Sequence, residues 1–297
     1  MEPRKLSFTS HGVRCAAWHL AGVGGASGRP CVVMAHGFGG TLDTGLLAFA
    51  TPFTEAGWDV LAFDYRGFGA SDGGPRQDVS VRRQREDYHA AVDAARHLPG
   101  VDPDRIVLWG TSYSAGHAVV VAARRPRIAA VVAMTPASDG LASLALIARR
   151  HGVGQLARLA AHGVVDTAAA TLRRRPHTVP IVGRPGTTAM ITAPGAAEAY
   201  TSLAGPTWRN EACARHALEV ARNRPVVAAP RVHCPVLVQV GTRDQVVPVG
   251  AARRMVRRLG DRGFMHEYPV DHFDVYDGPW QRRAVTDQIA FLRRVLG

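Results

Sequence analysis

Cysteine is scarce in this chain: Cys15, Cys31, Cys213 and Cys234 are the four among 297 residues. They are widely spaced and none belongs to a C-x-x-C pair, which argues against a disulfide framework or a cysteine zinc site. Cys31 opens an apolar run and reads as a small buried hydrophobe. Long hydrophobic stretches are missing too. No window holds the ~18 consecutive apolar residues that a membrane span needs. Behind Met1-Glu2-Pro3-Arg4-Lys5-Leu6 there is no apolar segment of the secretory type, so a cytoplasmic location is expected. No glycine-rich phosphate fingerprint is present, so no nucleotide cofactor is expected. Aromatic residues make up only 7% and do not interleave with the arginine doublets Arg82-Arg83, Arg124-Arg125, Arg253-Arg254, Arg257-Arg258 and Arg293-Arg294. The net charge of +12 therefore reads as solvated helix faces and not as a nucleic-acid platform.

What the chain does have is an ordinary globular composition, 46% hydrophobic and 20% charged, over a length that can bury a large core. Val13 to Leu20 reads as a strand after a turn at His11-Gly12. Short continuous apolar runs follow at Cys31–Ala35, Val60–Phe63, Ile106–Trp109, Ile128–Met134 and Val236–Val240, with a further strand at Phe264–Pro269. Such runs suit strands buried on both faces of a parallel sheet. Helical patterns lie between or after them at Val81–Leu98, Ser114–Arg124, Val249–Leu259 and Trp280–Leu296. The alternation predicts an α/β fold: a mostly parallel central sheet flanked by helices. Residues 141–229 break the rhythm, first rich in Ala and Arg, then punctuated by Pro and Gly, with no strong strand. We read 1–140 and 230–297 as the core domain and 141–229 as an inserted helical cap over the carboxyl ends of the strands, where open α/β sheets bind ligands. Met190, Ile191, Leu203 and Trp208 of that insertion either line a pocket or fill the cap's own core.

Chemistry concentrates at Gly110-Thr111-Ser112-Tyr113-Ser114-Ala115-Gly116. A serine among small residues, between a strand and a helix, can sit on a tight turn with its hydroxyl presented for attack. Ser112 falls at the turn because the strand runs to Trp109 and Gly110; Ser114, the alternative, falls in the first helical turn. A serine hydroxyl needs a general base, and the base an orienting carboxylate. Asp244 stands in the loop after the run Val236–Val240, and His272 in the loop before the last helix. Asp139 is the rival acid. His266 lies inside a strand, and Asp271 and Asp274 sit too close to His272 in sequence to reach its far nitrogen. Ala35-His36-Gly37-Phe38-Gly39-Gly40 supplies glycines that let backbone N–H groups approach a ligand. The amides of Phe38 and Tyr113 are the candidate oxyanion donors.

Together with Asp64-Tyr65-Arg66-Gly67-Phe68-Gly69-Ala70-Ser71 and His272-Phe273-Asp274, these motifs resemble the α/β-hydrolase superfamily of serine esterases, lipases, thioesterases and peptidases, from about Arg29 to the C-terminus outside the cap. Serine at position 112, where haloalkane dehalogenases carry aspartate, argues against that branch. Ser114 in place of the usual second glycine is similar to the X-prolyl peptidase and cocaine-esterase-like relatives. The resemblance implies a Ser112–His272–Asp244 triad that hydrolyses a small-molecule carboxylic ester or thioester with no cofactor or metal. The alternatives are an acyltransferase or peptidase on the same triad, or a non-catalytic ligand-binding module. The sequence leaves the oligomeric state open, a homodimer included.

Overall fold

The computed structural model describes residues 3–25 and 27–297. Among them, eight strands form one sheet: β1 (Arg4–Ser10), β2 (Val13–Leu20), β3 (Arg29–Ala35), β4 (Asp59–Phe63), β5 (Val101–Thr111), β6 (Ala130–Met134), β9 (Val236–Gly241) and β10 (Gly263–Tyr268). Their spatial order is β1-β2-β4-β3-β5-β6-β9-β10. All pairings from β4 to β10 are parallel, and β2 alone runs against its neighbours. This is the α/β-hydrolase architecture expected of the alternating pattern.

The strands are apolar runs because both faces are covered. Ile106, Val107, Leu108 and Trp109 of β5 are fully buried. Alternate residues enter two cores. Ile106 and Leu108 face the side that holds α2 (Val81–Arg96), α3 (Tyr113–Ala122) and α8 (Val249–Leu259). Val107 and Trp109 face α1 (Leu47–Glu55) and α9 (Gly278–Leu296). Burying each such side chain contributes about 1.5–3 kcal/mol. Polar ties fix the register of the layers. Trp109 Nε1 donates to Gln288 Oε1 at 3.0 Å, Gln288 Nε2 to Gln239 Oε1 at 2.7 Å, and Gln239 Nε2 to the Tyr268 hydroxyl at 2.7 Å. On the opposite face the Tyr88 hydroxyl donates to the carbonyls of Val33 and Trp109, at 3.0 and 2.8 Å.

Several boundaries shift from the sequence reading. The helix expected over Val81–Leu98 ends at Arg96, β6 starts at Ala130 rather than Ile128, and β10 spans Gly263–Tyr268. Two elements of the core carried no clear local signal: the edge strand β1, and α1, which carries Pro52 inside it. The four cysteines are free and buried, and burial pushes the Cys15 thiol up to about 12.

Residues 140–229 lie between β6 and β9. They form α4 (Gly140–His151) and α5 (Val153–Thr171), then a strap with β7 (Thr178–Val179), α6 (Ala196–Leu203) and β8 (Ala212–Cys213). The segment returns to the core through 3-10 turns at Ala214–Leu218 and Val220–Arg222 and the short helix α7 (Pro225–Ala228). Where the sequence showed no strong strand, β7 and β8 pair as a two-residue antiparallel ladder.

Candidate active site

The carboxyl ends of β3, β5, β9 and β10 converge, and each delivers one candidate group. At the end of β5 the chain turns into α3 through Ser112, held at φ 53° and ψ −111°. That conformation is costly for a residue with a Cβ. The turn is tight enough to require glycine at one neighbour: a Cβ on Gly110 would lie 2.3 Å from the Ser114 carbonyl oxygen. Ser112 N–H donates to the Met134 carbonyl at 2.8 Å, tying the turn to β6.

The two serines are used differently. Ser114 is buried; its hydroxyl donates to the His36 carbonyl and meets the Tyr65 hydroxyl at 2.8 Å. Ser112 Oγ instead lies 3.2 Å from His272 Nε2. His272 Nδ1 is 2.7 Å from Asp244 Oδ2. A carboxylate oxygen only accepts, so Nδ1 carries the proton and Nε2 is left as the acceptor for the serine hydroxyl. Asp244 is fixed in turn: its Oδ1 accepts the N–H groups of Val246 and Val247, both at 2.8 Å. Ser112, His272 and Asp244 are 8%, 2% and 5% exposed, so the chain of hydrogen bonds is shielded from bulk water except at the serine.

The other titratable candidates stand elsewhere. Asp139 accepts from Leu141 N–H at the start of α4 and pairs with Arg224 at 2.9 Å. His266 faces Asp287 at 3.2 Å on the sheet edge. Asp271 latches the loops that carry Asp244 and His272, accepting from Gln245 N–H at 2.7 Å and from Gln245 Nε2 at 2.6 Å. Asp274 accepts from Asp271 N–H at 2.8 Å.

The glycine turn after β3 passes directly against the serine: a Cβ on Gly37 would lie 3.2 Å from Ser112 Cβ. The Gly37 carbonyl accepts from His36 Nδ1 at 3.0 Å and from Gly40 N–H at 3.2 Å, which orients the peptide that carries the Phe38 N–H. Burial pushes His36 down to about 4, so its imidazole is neutral. Tyr113 is the first residue of α3, where the N–H has no intrahelical acceptor. The strap grips this turn. The Tyr200 hydroxyl donates to the Phe38 carbonyl at 2.8 Å, and Ile181 covers Gly39, where an added Cβ would meet Ile181 Cδ1 at 2.4 Å. The sequence reading did not single out Tyr200 or Ile181; each acts across a long separation that no local pattern encodes.

Two cavities meet at Ser112. The larger, about 270 Å³, is apolar and lined by Phe38, Leu144, Ile147, Leu159, Met190 and Val247 among others. The smaller, about 30 Å³, is bounded by Gly37, Thr111, Ile191, Tyr200, Leu203 and His272 among others. Met190 and Ile191 thus line the larger space, Ile191 and Leu203 the smaller, and Trp208 stacks on Tyr200 with ring centroids 5.2 Å apart. His216, at the wall of the larger cavity, accepts no charge: burial pushes it down to about 4, and its Nδ1 donates to the Val79 carbonyl at 2.7 Å.

A mostly parallel sheet of this order, flanked on both faces by helices, defines an α/β hydrolase. The chain belongs to the family described as serine aminopeptidase, S33, whose model matches residues 26–270, and it is an enzyme of the α/β-hydrolase class. It is similar to the quorum-quenching protein AidA of Acinetobacter baumannii, 36% identical over 99% of this chain and 95% of the relative. It also resembles the thiohydrolase aneE of Aspergillus aculeatus, 39% identical over 38% of this chain and 35% of that protein. Among solved structures, the α/β hydrolase GrgF from Penicillium superposes with a TM-score of 0.83 at 24% identity, covering 99% of both chains. The complex of DcsB with its substrate analogue superposes with a TM-score of 0.84 at 22% identity, covering 100% of both.

Proposed function

We propose that this protein is a serine hydrolase of small-molecule carboxylic esters or thioesters that works through an acyl-enzyme. The observation that carries the reading is the hydrogen-bonded series Asp244–His272–Ser112, with the serine at the floor of an apolar cavity. Ser112 Oγ attacks the acyl carbon while His272 Nε2 takes its proton. Asp244 holds the imidazole tautomer and stabilises the imidazolium. The amides of Phe38 and Tyr113 receive the oxyanion, each such donor being worth about 2.7–4 kcal/mol in the transition state. The tetrahedral intermediate collapses, the acyl–leaving-group bond breaks, and His272 returns the proton to the departing alcohol or thiol. Water, deprotonated by His272, then releases the carboxylic acid.

The side of the serine that each half of the substrate occupies follows from the proton. His272 borders only the smaller cavity, so the leaving group departs there and the acyl chain fills the larger one. On this reading residues 141–229 act as a cap, with α4 and α5 roofing the acyl cavity. An aminopeptidase would have to hold a free ammonium group, and neither lining contains Asp or Glu among the described residues. The names of the relatives, quorum-quenching protein and thiohydrolase, agree with turnover of small acyl compounds, and other relatives named polyketide transferases point to a second acceptor besides water.

Labelling with a fluorophosphonate probe followed by peptide mapping tests the nucleophile: modification at Ser112 supports the reading, and an unlabelled folded protein sinks it. A panel of p-nitrophenyl esters from acetate to octanoate, beside acyl-thioesters and aminoacyl anilides, then separates the substrate classes. Preference for the longer acyl chains is the expected result.

A further inference from the structure

Five of the nine large apolar side chains exposed among the described residues lie on the α4–α5 hairpin. They are Leu141, Val153, Val164, Val165 and Leu172, from 48% to 75% exposed. On α5 they continue through exposed Ala157, Ala161 and Ala168. The series 153, 157, 161, 164, 168, 172 steps by three or four and keeps to one face of the helix. A 19-residue helix thus turns a largely apolar stripe, about 28 Å long, to the outside. The opposite face is committed to the interior: Leu156, Leu159 and Ala160 of α5, with Leu144 and Ile147 of α4, line the larger cavity.

Charge around the stripe has one sign. Between residues 140 and 175 the sole acid is Asp166, which is buried and paired with Arg215 at 2.6 Å. Arg149 and Arg150 end α4, and Arg173, Arg174 and Arg175 follow α5; all five are exposed. An apolar face this long, bordered by cations, needs a partner that is apolar inside and anionic outside.

We propose that the outer face of the α4–α5 hairpin docks on an anionic lipid bilayer. A second copy of the chain is a poor occupant. Packed parallel along α5, two copies would oppose Arg173–Arg175 with the same residues; packed antiparallel, with Arg149 and Arg150. Either arrangement sets like charges together. A bilayer takes both features at once, with valines and leucines at the acyl boundary and arginines among the headgroup phosphates. Docking would set the roof of the cavity against a source of apolar acyl compounds. That consequence rests on the proposed hydrolase reading, whereas binding itself does not and is measured without turnover.

The test is flotation of the full chain with vesicles of equimolar phosphatidylglycerol and phosphatidylcholine, beside phosphatidylcholine alone. Binding to the anionic vesicles, about ten-fold or more weaker without phosphatidylglycerol and weakened by salt, is expected. The double variant Val153→Asp/Val164→Asp should abolish it. Arg173→Ser/Arg174→Ser should weaken it about five-fold or more. Val23→Asp, exposed in the turn after β2 beside the start of β4, should leave it intact. Thermal melts show that each variant is folded. No flotation of the parent chain overturns the proposal, as does flotation that survives Val153→Asp/Val164→Asp. A dimer in sedimentation velocity that the same pair of substitutions dissociates assigns the face to a second copy and overturns it too.

Discussion

The hairpin α4–α5 and the strap over residues 178–213 cross the same edge of the sheet and hold on to different partners. The strap is tied by directed bonds to the loop after β3. Besides Tyr200 on Phe38, Thr207 donates through N–H and hydroxyl to the two Asp43 carboxylate oxygens, both at 2.9 Å. Its far end is fastened below, where Cys213 N–H donates to the Gln77 carbonyl at 2.8 Å. The hairpin is anchored at its root by Asp139 with Arg224, and otherwise against neighbours in its own segment: Asp166 to Arg215, Gln155 to the carbonyls of Thr187 and Ala189, Gly163 against Leu218. The strap's bonds reach the loop after β3 and fix its geometry, whereas the hairpin, bonded mainly within its own segment, meets the cavity through apolar side chains, which tolerate repacking. The difference assigns placement of the glycine turn to the strap and the shape of the larger cavity to the hairpin.

Variants in the two regions should therefore fail in different ways, provided that Ser112 is the reacting group. Ser112→Ala is the largest expected effect, about 10⁴-fold or more on ester turnover. Ser114→Ala, which removes the bond to Tyr65, should keep fluorophosphonate labelling, and the reverse outcome would exchange the two serines. In the hairpin, Leu159→Trp fills the cavity. At about 0.8 kcal/mol per methylene lost, octanoate should drop by tens of fold relative to acetate, with kcat for acetate kept. Equal loss on both esters would remove the acyl chain from that cavity.

In the strap, Tyr200→Phe deletes one buried hydrogen bond to the Phe38 carbonyl. A loss of about ten-fold in kcat is expected, with KM and chain-length preference unchanged. A change in KM alone would transfer the strap to substrate binding. The smallest effect concerns pH. His36 and His216 are held neutral by burial down to about 4, below their ordinary 6.5. The unfolded chain binds protons below about 6.5 that the folded chain refuses until about 4, so stability is full above that window and falls as pH drops through it. Melting should fall by a few degrees between neutral pH and pH about 5, and His216→Gln should shrink the fall. An unchanged slope would remove that residue from the account.

Much of this arrangement was legible in the residues. The apolar runs of β3, β5 and β9 are continuous because the sheet is covered on both faces, and a continuous run is readable without neighbours. The start of Val249–Leu259 was readable from Pro248 before it. The approach of Ser112, Asp244 and His272 followed from the loops they occupy, because parallel strands deliver their carboxyl ends to one edge. The strap was not readable in the same way. Tyr200 meets Phe38 across 162 residues, and nothing in Ala196–Leu203 distinguishes a tyrosine that anchors a distant turn from one that fills a core. Met190 and Ile191 stood undecided between pocket and packing for the same reason: the cavity they border is closed by Leu156 and Leu159, which come from α5.

The sequestered thiols have a practical consequence. Cys15, Cys213 and Cys234 are all pushed up to about 12 by their apolar surroundings, and Cys31 is raised as well. Thiolate is the species that maleimides and nitroxide reagents attack, so the native protein should stay silent toward them. A lone cysteine introduced at position 164 would then carry a fluorophore or spin label by itself, without first stripping the natural four. Movement of the roof could be followed in an otherwise unaltered enzyme.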